Sequence, residues 1–314
     1  MVRRNHYDVT NAIELARPQA VQEAVADLLV ESGVAAEMPA INRAFEVFSD
    51  LYTGELHGYL GCDTWYHDAQ HSLDCALAFA RLANGYERSV ARAEQLGSRR
   101  IALGTIAALF HDAGYIRKLS DHAANGAEFT RSHVGRSADF LGEFLSGCGY
   151  ADDAAMVSQL VHFTGYELAL DAIAVHDKKD RRVGFMLGTA DVMAQTSDRC
   201  YLEKCRDFLY REFEICGMAG AQKDGKPAPI YQSPEHLLRQ TAGFNHKLWN
   251  DRLDGYFQAV HKYMAAHFVN TDPYTQNING HLARVEELCA SNRLDALKLR
   301  PKAIRASDLR VAVH

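Results

Sequence analysis

Apolar residues recur along this chain with the 3.6-residue period of a helix rather than the two-residue period of a strand. From Pro18 to Glu31 the apolar positions are Val21, Val25, Leu28 and Leu29, and Gly33 follows as a stop. Pro39 opens a second stretch with Ile41, Phe45 and Phe48 on one face. Tyr66 to Leu82 continues with Leu73, Ala76, Leu77 and Ala80. Ile101 to Ala113 is almost wholly apolar and ends at Gly114, which predicts a centrally buried helix. A polar loop, Ser120 to Ala127, precedes Phe129 to Leu145, whose stripe of Val134, Ala138, Leu141 and Leu145 ends at the Gly147-Cys148-Gly149 turn. Residues 152–163 and 183–196 predict two more helices, joined by DAIAVHDKKDRRV, a charged segment that reads as an exposed loop.

The pattern continues through Tyr201 to Ile215 and breaks across Gly217 to Gln232, where Gly217, Gly220, Gly225, Pro227 and Pro229 suit either a lid or a plain connector. Ser233 and Pro234 are an N-cap and first helical residue, starting a long helical region to about Phe268. From Asn279 the chain reads as one more helix and a loose basic tail. With no strand-rich block and no internal repeat, the expectation is an all-α helical bundle in one domain over residues 1–314. Its core would span about 60–215, flanked by N-terminal helices over 1–59 and by C-terminal helices and the possible lid over 216–314.

Composition narrows the function. A chain of 314 residues, 47% of them hydrophobic, can bury a substantial core. The net charge is −6 and no basic stripe gathers, which excludes a binder of nucleic-acid polymer but not a small anionic substrate. The first residues, MVRRNHYDVTNAIELARPQ, hold no apolar run of signal-peptide length, and no run reaches the roughly 18 residues of a membrane span, so a cytoplasmic location away from membranes is expected. Seven scattered cysteines without a C-x-x-C pair fit reduced thiols in a reducing compartment. A homo-oligomer is compatible with all of this.

The chemistry lies in histidines and aspartates set among apolar residues. His67 and His71, in Tyr66-His67-Asp68-Ala69-Gln70-His71, stand four apart, on one face if the segment is helical. His111-Asp112 ends the apolar stretch from Ile101, where an unpaired charge would cost several kcal/mol unless a cation resolved it. Asp191 is a lone carboxylate in Leu187 to Gln195, and wants a metal or a base. His133 and His162 each read more simply as hydrogen-bonded core histidines, and only their place in the series makes them ligands. His176-Asp177 repeats the dipeptide in a charged loop and reads as solvated, as does His122. Arg117, Arg131 and Arg136 flank the series and suit phosphate oxygens. Tyr231, Phe244, Trp249, Tyr256 and Phe257 suit either an aromatic wall for a base or ordinary helix packing.

A histidine, a histidine-aspartate pair and a distant aspartate, all on helices, resemble the HD-domain superfamily of metal-dependent phosphohydrolases. Tyr66 to His71 is similar to the Tyr-His-Asn-x-x-His signature of its cyclic nucleotide phosphodiesterases, with Asp68 in place of the Asn. The resemblance implies His71, His111, Asp112 and Asp191 as ligands of a first metal, Asp112 bridging to a second that His133 and His162 complete. It implies His67 as proton donor to the leaving oxygen, a role that a nearby carboxylate such as Asp68 would favour. Catalysis would then rest on His67 and Asp112, with Arg117, Arg136 and Gln195 toward substrate. The segment that carries the purine-clamping glutamine of the phosphodiesterases has no recognisable counterpart, although Gln195 and Gln240 are available.

The expected cofactors are two divalent ions drawn from Mn, Fe, Co, Zn and Mg, and the imidazole-rich donor set prefers Mn or Fe. The reading that follows is a phosphohydrolase that attacks a phosphodiester or phosphomonoester of a nucleotide-like small molecule with a metal-bridging hydroxide. Two alternatives share the ligand series: an HD-domain di-iron oxygenase cleaving a C-P or C-C bond, and a nucleotide or metal sensor without turnover.

Overall fold

Helix caps, more than apolar periodicity, set where the elements begin. The computed structural model describes residues 4–30, 32–222 and 228–311 and is all-α; among these residues the only β pairing is in isolated bridges. The longer helices are α1 (Pro18–Val30), α2 (Met38–Thr53), α3 (Ala69–Ser89), α4 (Ser98–Phe110), α5 (His133–Gly147), α6 (Ala151–Val161) and α7 (Lys178–Ser197). Next come α8 (Tyr201–Lys204), a π-helical stretch (Cys205–Leu209) and α9 (Tyr210–Ile215), in one continuous run. After them stand α10 (Pro234–Lys247), a second π-helical stretch (Leu248–Tyr256), α11 (Tyr263–His267), α12 (Pro273–Ala290) and α13 (Ala306–Val311).

The differences from the sequence pattern have identifiable causes. The α3 helix starts at Ala69 rather than Tyr66, because the Asp68 carboxylate accepts the His71 N–H from an extended backbone. Asp177 caps Lys179 and Asp180 in the same way, so α7 begins inside what reads as a charged loop. Asp272 brings the start of α12 forward to Pro273. The long C-terminal helical region is interrupted after Tyr256, where Gln258 and Ala259 both adopt φ of 56°. The basic tail is not loose. Ile304 is buried and its N–H donates to Asp68, while the Leu297 carbonyl takes a bond from Arg206.

At the centre lies α3, buried at every residue from Ala69 to Tyr86 and packed against α1, α4, α7 and α11. Gly85 permits the α11 crossing, since a Cβ there would collide with the Tyr263 carbonyl oxygen. Total burial makes the polar residues of α3 costly unless paired. Arg81 meets that requirement by donating to Asp8 Oδ2 at 2.6 Å and to the Tyr274 hydroxyl at 2.8 Å. One guanidinium thus ties the N-terminal segment and α12 to the central helix. All seven cysteines are free thiols.

Removing Arg81 strands the buried Asp8 carboxylate. Arg81→Met should cost about 3–5 kcal/mol in equilibrium denaturation, whereas Tyr274→Phe, which removes a single neutral partner, should cost about 1 kcal/mol.

Candidate metal centre and its pocket

Three mutually packed helices, α3, α4 and α7, deliver the central cluster. His71 lies in the first turn of α3, His111 is the C-cap of α4 with Asp112 following it, and Asp191 projects from within α7. All four are buried. Ligand atoms of His71, His111 and Asp191 lie within 4.8 Å of one another, a buried group that could hold a metal ion. Asp112 Oδ2 stands 3.5 Å from His71 Nε2 and 3.4 Å from His111 Nε2.

The donor atoms fit a cation. His111 Nδ1 bonds the Ala108 carbonyl at 2.8 Å; a carbonyl only accepts, so Nδ1 carries a proton and Nε2 is the atom that faces the cluster. His71 Nε2 is 3.2 Å away, and two imidazole nitrogens so close need a proton or a cation between them. Asp112 Oδ2 is buried with no hydrogen-bond partner. Burial works against the charge of both carboxylates. His111 and His71 outweigh it at Asp191, and His111, His67, His71 and His133 outweigh it at Asp112, so both carboxyls stay below the usual range.

Asp191 has a further partner, at the same oxygen that faces His71 and His111. Gln195 Nε2 donates to its Oδ1 at 3.0 Å, and the Tyr66 hydroxyl donates to Gln195 Oε1 at 3.3 Å. Gln195, expected toward substrate, lines the pocket but spends its amide on a candidate ligand.

His133 opens α5, and its Nδ1 bonds the Thr130 carbonyl at 2.9 Å, which leaves Nε2 to face Asp112 Oδ1 at 3.6 Å. His162 does not join the cluster: it lines a separate groove between α5 and α6 with Asp139, Glu143 and Ser158. Two of the expected substrate contacts are engaged elsewhere. Arg117 pairs with Asp63 at 2.7 Å and donates to the Ala123 carbonyl, while Arg136 pairs with Asp121 at 2.7 Å and donates to the Gly114 and Ile116 carbonyls. Of the three flanking arginines only Arg131 lines the pocket, from an exposed position.

His67 precedes α3 instead of sharing its face with His71, because the Asp68 cap stops the helix short of it. Its carboxylate partner is not Asp68, which accepts the backbone N–H of His71 and of Ile304. The partner is Glu212, on α9. Glu212 Oε2 takes His67 Nδ1 at 2.5 Å, and its Oε1 takes the N–H groups of Trp65 and Tyr66 at 2.6 and 2.7 Å. Burial alone would depress the His67 pKa, but the fully buried Glu212 carboxylate outweighs it and the net shift is upward.

Sequence reasoning missed Glu212, and a signal for it exists. Tyr201, Cys205, Phe208 and Glu212 form one buried stripe at helical spacing, so a carboxylate stands where an apolar residue is due. The π-helical turn adds a second consequence. Four residues overshoot a turn of α-helix and fall short of a turn of π-helix, so the mixed helix keeps Tyr201, Cys205, Leu209 and Phe213 on one wall of the pocket.

That pocket has a volume of about 490 Å³ and is lined by His71, Asp112 and Asp191 of the cluster and by His67 and His133. Leu237, Gln240, Thr241 and Phe244 of α10 line it as well. Met218 and Tyr231, from the two described ends of the glycine- and proline-rich segment, complete it, and residues 223–227 of the suggested lid lie outside the described residues. Within the aromatic group, Tyr231 and Phe244 face the pocket whereas Trp249, Tyr256 and Phe257 pack with the core. Among the described residues no helix is long and apolar enough to cross a membrane.

The fold has a solved counterpart. The crystal structure of the phosphodiesterase domain of Salpingoeca rosetta rhodopsin phosphodiesterase superposes with a TM-score of 0.53 at 13% identity, covering 95% of this chain and 94% of that one. At that identity the similarity is one of fold. No protein-family profile matches the sequence, and a comparison with curated proteins finds no match.

The geometry separates ligands from neighbours. Asp191→Ala and Asp112→Ala should each abolish stoichiometric Mn binding in titration calorimetry, since each removes a charged donor from the cluster. His67→Asn should leave the binding in place. Metal lost from His67→Asn would mean that this imidazole is a ligand.

Proposed function

We propose that this protein is a metal-dependent phosphohydrolase acting on a phosphodiester or phosphomonoester of a nucleotide-like small molecule. The observation that carries the reading is the His67–Glu212 pair beside the buried His71, His111, Asp112 and Asp191 cluster, on a pocket lined in part by aromatic residues. A proton donor held next to a cation site serves a leaving oxygen.

His71, His111, Asp112 and Asp191 would hold the first ion. Asp112 Oδ1 and His133 Nε2 would share a second, without His162. When bound, divalent ions supply Lewis acidity and a nucleophile at neutral pH. Three imidazoles with two carboxylates suit Mn, Fe, Co or Zn better than Mg.

The protein's own contribution begins with the proton. Glu212 occupies His67 Nδ1, so Nε2 is the nitrogen that passes a proton to the departing oxygen. The raised pKa keeps that proton present toward neutral pH. Phe213, Tyr231, Leu237 and Phe244 offer apolar surface to a flat group, and Gln240 an amide to its polar edge. Arg131 is positioned to meet an anion entering the mouth.

The di-iron oxygenase alternative draws on a four-imidazole set from which His162 is displaced, and a proton donor at His67 has no required part in activating O2. Mn- or Fe-loaded protein should hydrolyse an aryl phosphodiester or a member of a nucleotide panel. Substrate-dependent oxygen uptake without hydrolysis would reverse the assignment.

The Glu212 interaction also sets a pH dependence. Because the folded-state pKa of His67 lies above the ordinary imidazole value of 6.5, the stability that the ion pair contributes is complete below 6.5 and is lost as pH rises through the folded value. Activity that needs the imidazolium should fall over the same rise. Glu212→Gln removes the carboxylate, so the alkaline limb of kcat should move to lower pH while Mn binding persists. An unmoved limb would show that His67 is not the titrating acid.

A further inference from the structure

The Glu212 hydrogen bond anchors one atom of the His67 ring, and a single hydrogen bond leaves the plane of an imidazole poorly fixed. A second contact fixes that plane. The Tyr115 ring lies 4.3 Å from the His67 ring, centroid to centroid, at an interplanar angle of 14°. The same phenol ring lies 4.3 Å from the His133 ring at 23°, and the two imidazoles are 6.1 Å apart. One side chain therefore sets the orientation of both the imidazole beside Glu212 and the imidazole that faces Asp112 Oδ1.

We infer that Tyr115 is a positioning residue, whose ring face holds His67 in the orientation from which it protonates the leaving oxygen; this rests on the phosphohydrolase reading. Tyr115 is itself held firmly. It is 1% exposed and ends the short 3₁₀ turn Ala113–Tyr115, with its N–H donating to the Asp112 carbonyl at 3.1 Å. Gly114 lets that turn press against the start of α5, since a Cβ there would collide with the His133 carbonyl oxygen. Ser137 Oγ receives the Gly114 N–H at 2.8 Å, and Arg136 donates to the carbonyls on both sides of Tyr115, Gly114 at 2.8 Å and Ile116 at 3.2 Å. Arg136 thus acts on the site through the backbone that carries Tyr115.

A flat ring also suits the charge that His67 carries. The face of a phenol is electron-rich and attracts an imidazolium stacked on it, as it attracts other cations. The contact is with the ring and not the hydroxyl, which separates Tyr115→Phe from Tyr115→Leu.

The test uses Mn-loaded protein and methyl aryl phosphates whose leaving phenols run from nitrophenol to unsubstituted phenol. A proton donor matters most for the poorest leaving group, so His67→Asn should lose more kcat on the phenyl ester than on the nitrophenyl ester. Tyr115→Leu should show the same steepened dependence, losing roughly tenfold on the phenyl ester out of the ~10²–10⁴-fold that general acid catalysis supplies. Its KM and its Mn binding at the first site, that of His71, His111, Asp112 and Asp191, should stay unchanged, and Tyr115→Phe should restore the shallow dependence. Tyr115→Met, which fills more of the ring's space, replaces the leucine variant if that protein melts early.

A loss by Tyr115→Leu that is even across the leaving groups, or confined to KM, would overturn the inference. So would a phenylalanine variant as steep as the leucine one. A flat response to His67→Asn would instead overturn the proton-donor reading, and this inference with it.

Discussion

Two carboxylates and two imidazoles meet, all four buried, inside a helical protein, and the structure depends on how that charge is balanced. Asp112 and Asp191 cannot both remain ionised in such surroundings without compensation that approaches from within a few ångströms. His71 and His111 supply part of it, but their Nε2 atoms face each other at 3.2 Å and one Asp112 oxygen is left without a partner. A cation at this point satisfies all four groups at once. The central helix α3, buried along nearly its whole length, and its neighbours α4 and α7 hold those groups in place.

Around the cluster the protein orients each group with a hydrogen bond from a neighbour outside it. The Ala108 and Thr130 carbonyls fix the tautomers of His111 and His133, Gln195 holds Asp191, and Glu212 holds His67. Glu212 reaches across 145 positions of sequence and also binds the two backbone N–H groups that precede His67. It therefore sets the path of the chain into α3 as well as the state of the imidazole. This arrangement of outer groups supporting inner ones is what metal and proton-transfer sites require.

Much of this was legible from the residues alone. The helical class follows from periodicity; His111, Asp112 and Asp191 stand out because ionisable groups in apolar helices are costly without a reason, and His71 through its four-residue spacing from His67. Local signals misled where a cap overrode periodicity. Asp68 looks like a variant residue in the Tyr66–His71 motif, yet its carboxylate caps the start of α3 and leaves His67 outside the helix. His162 shares the spacing of a ligand, but it closes α6 toward the outer groove, and spacing carries no information about which way a helix end faces. Arg117 and Arg136 looked available to phosphate because their partners Asp63 and Asp121 lie in loops whose shape only the fold determines. Tyr115 gave no sign, since a tyrosine after a glycine carries no pattern that predicts stacking on two histidines.

The claim on which the rest stands is that a divalent cation occupies the buried cluster. Anomalous diffraction at the manganese edge, from crystals grown with Mn, tests it most directly. A strong peak is expected within coordinating distance of His71 Nε2, His111 Nε2, Asp191 and the partnerless Asp112 Oδ2. Ordered side chains with no peak among them, or manganese only at the surface, would contradict it.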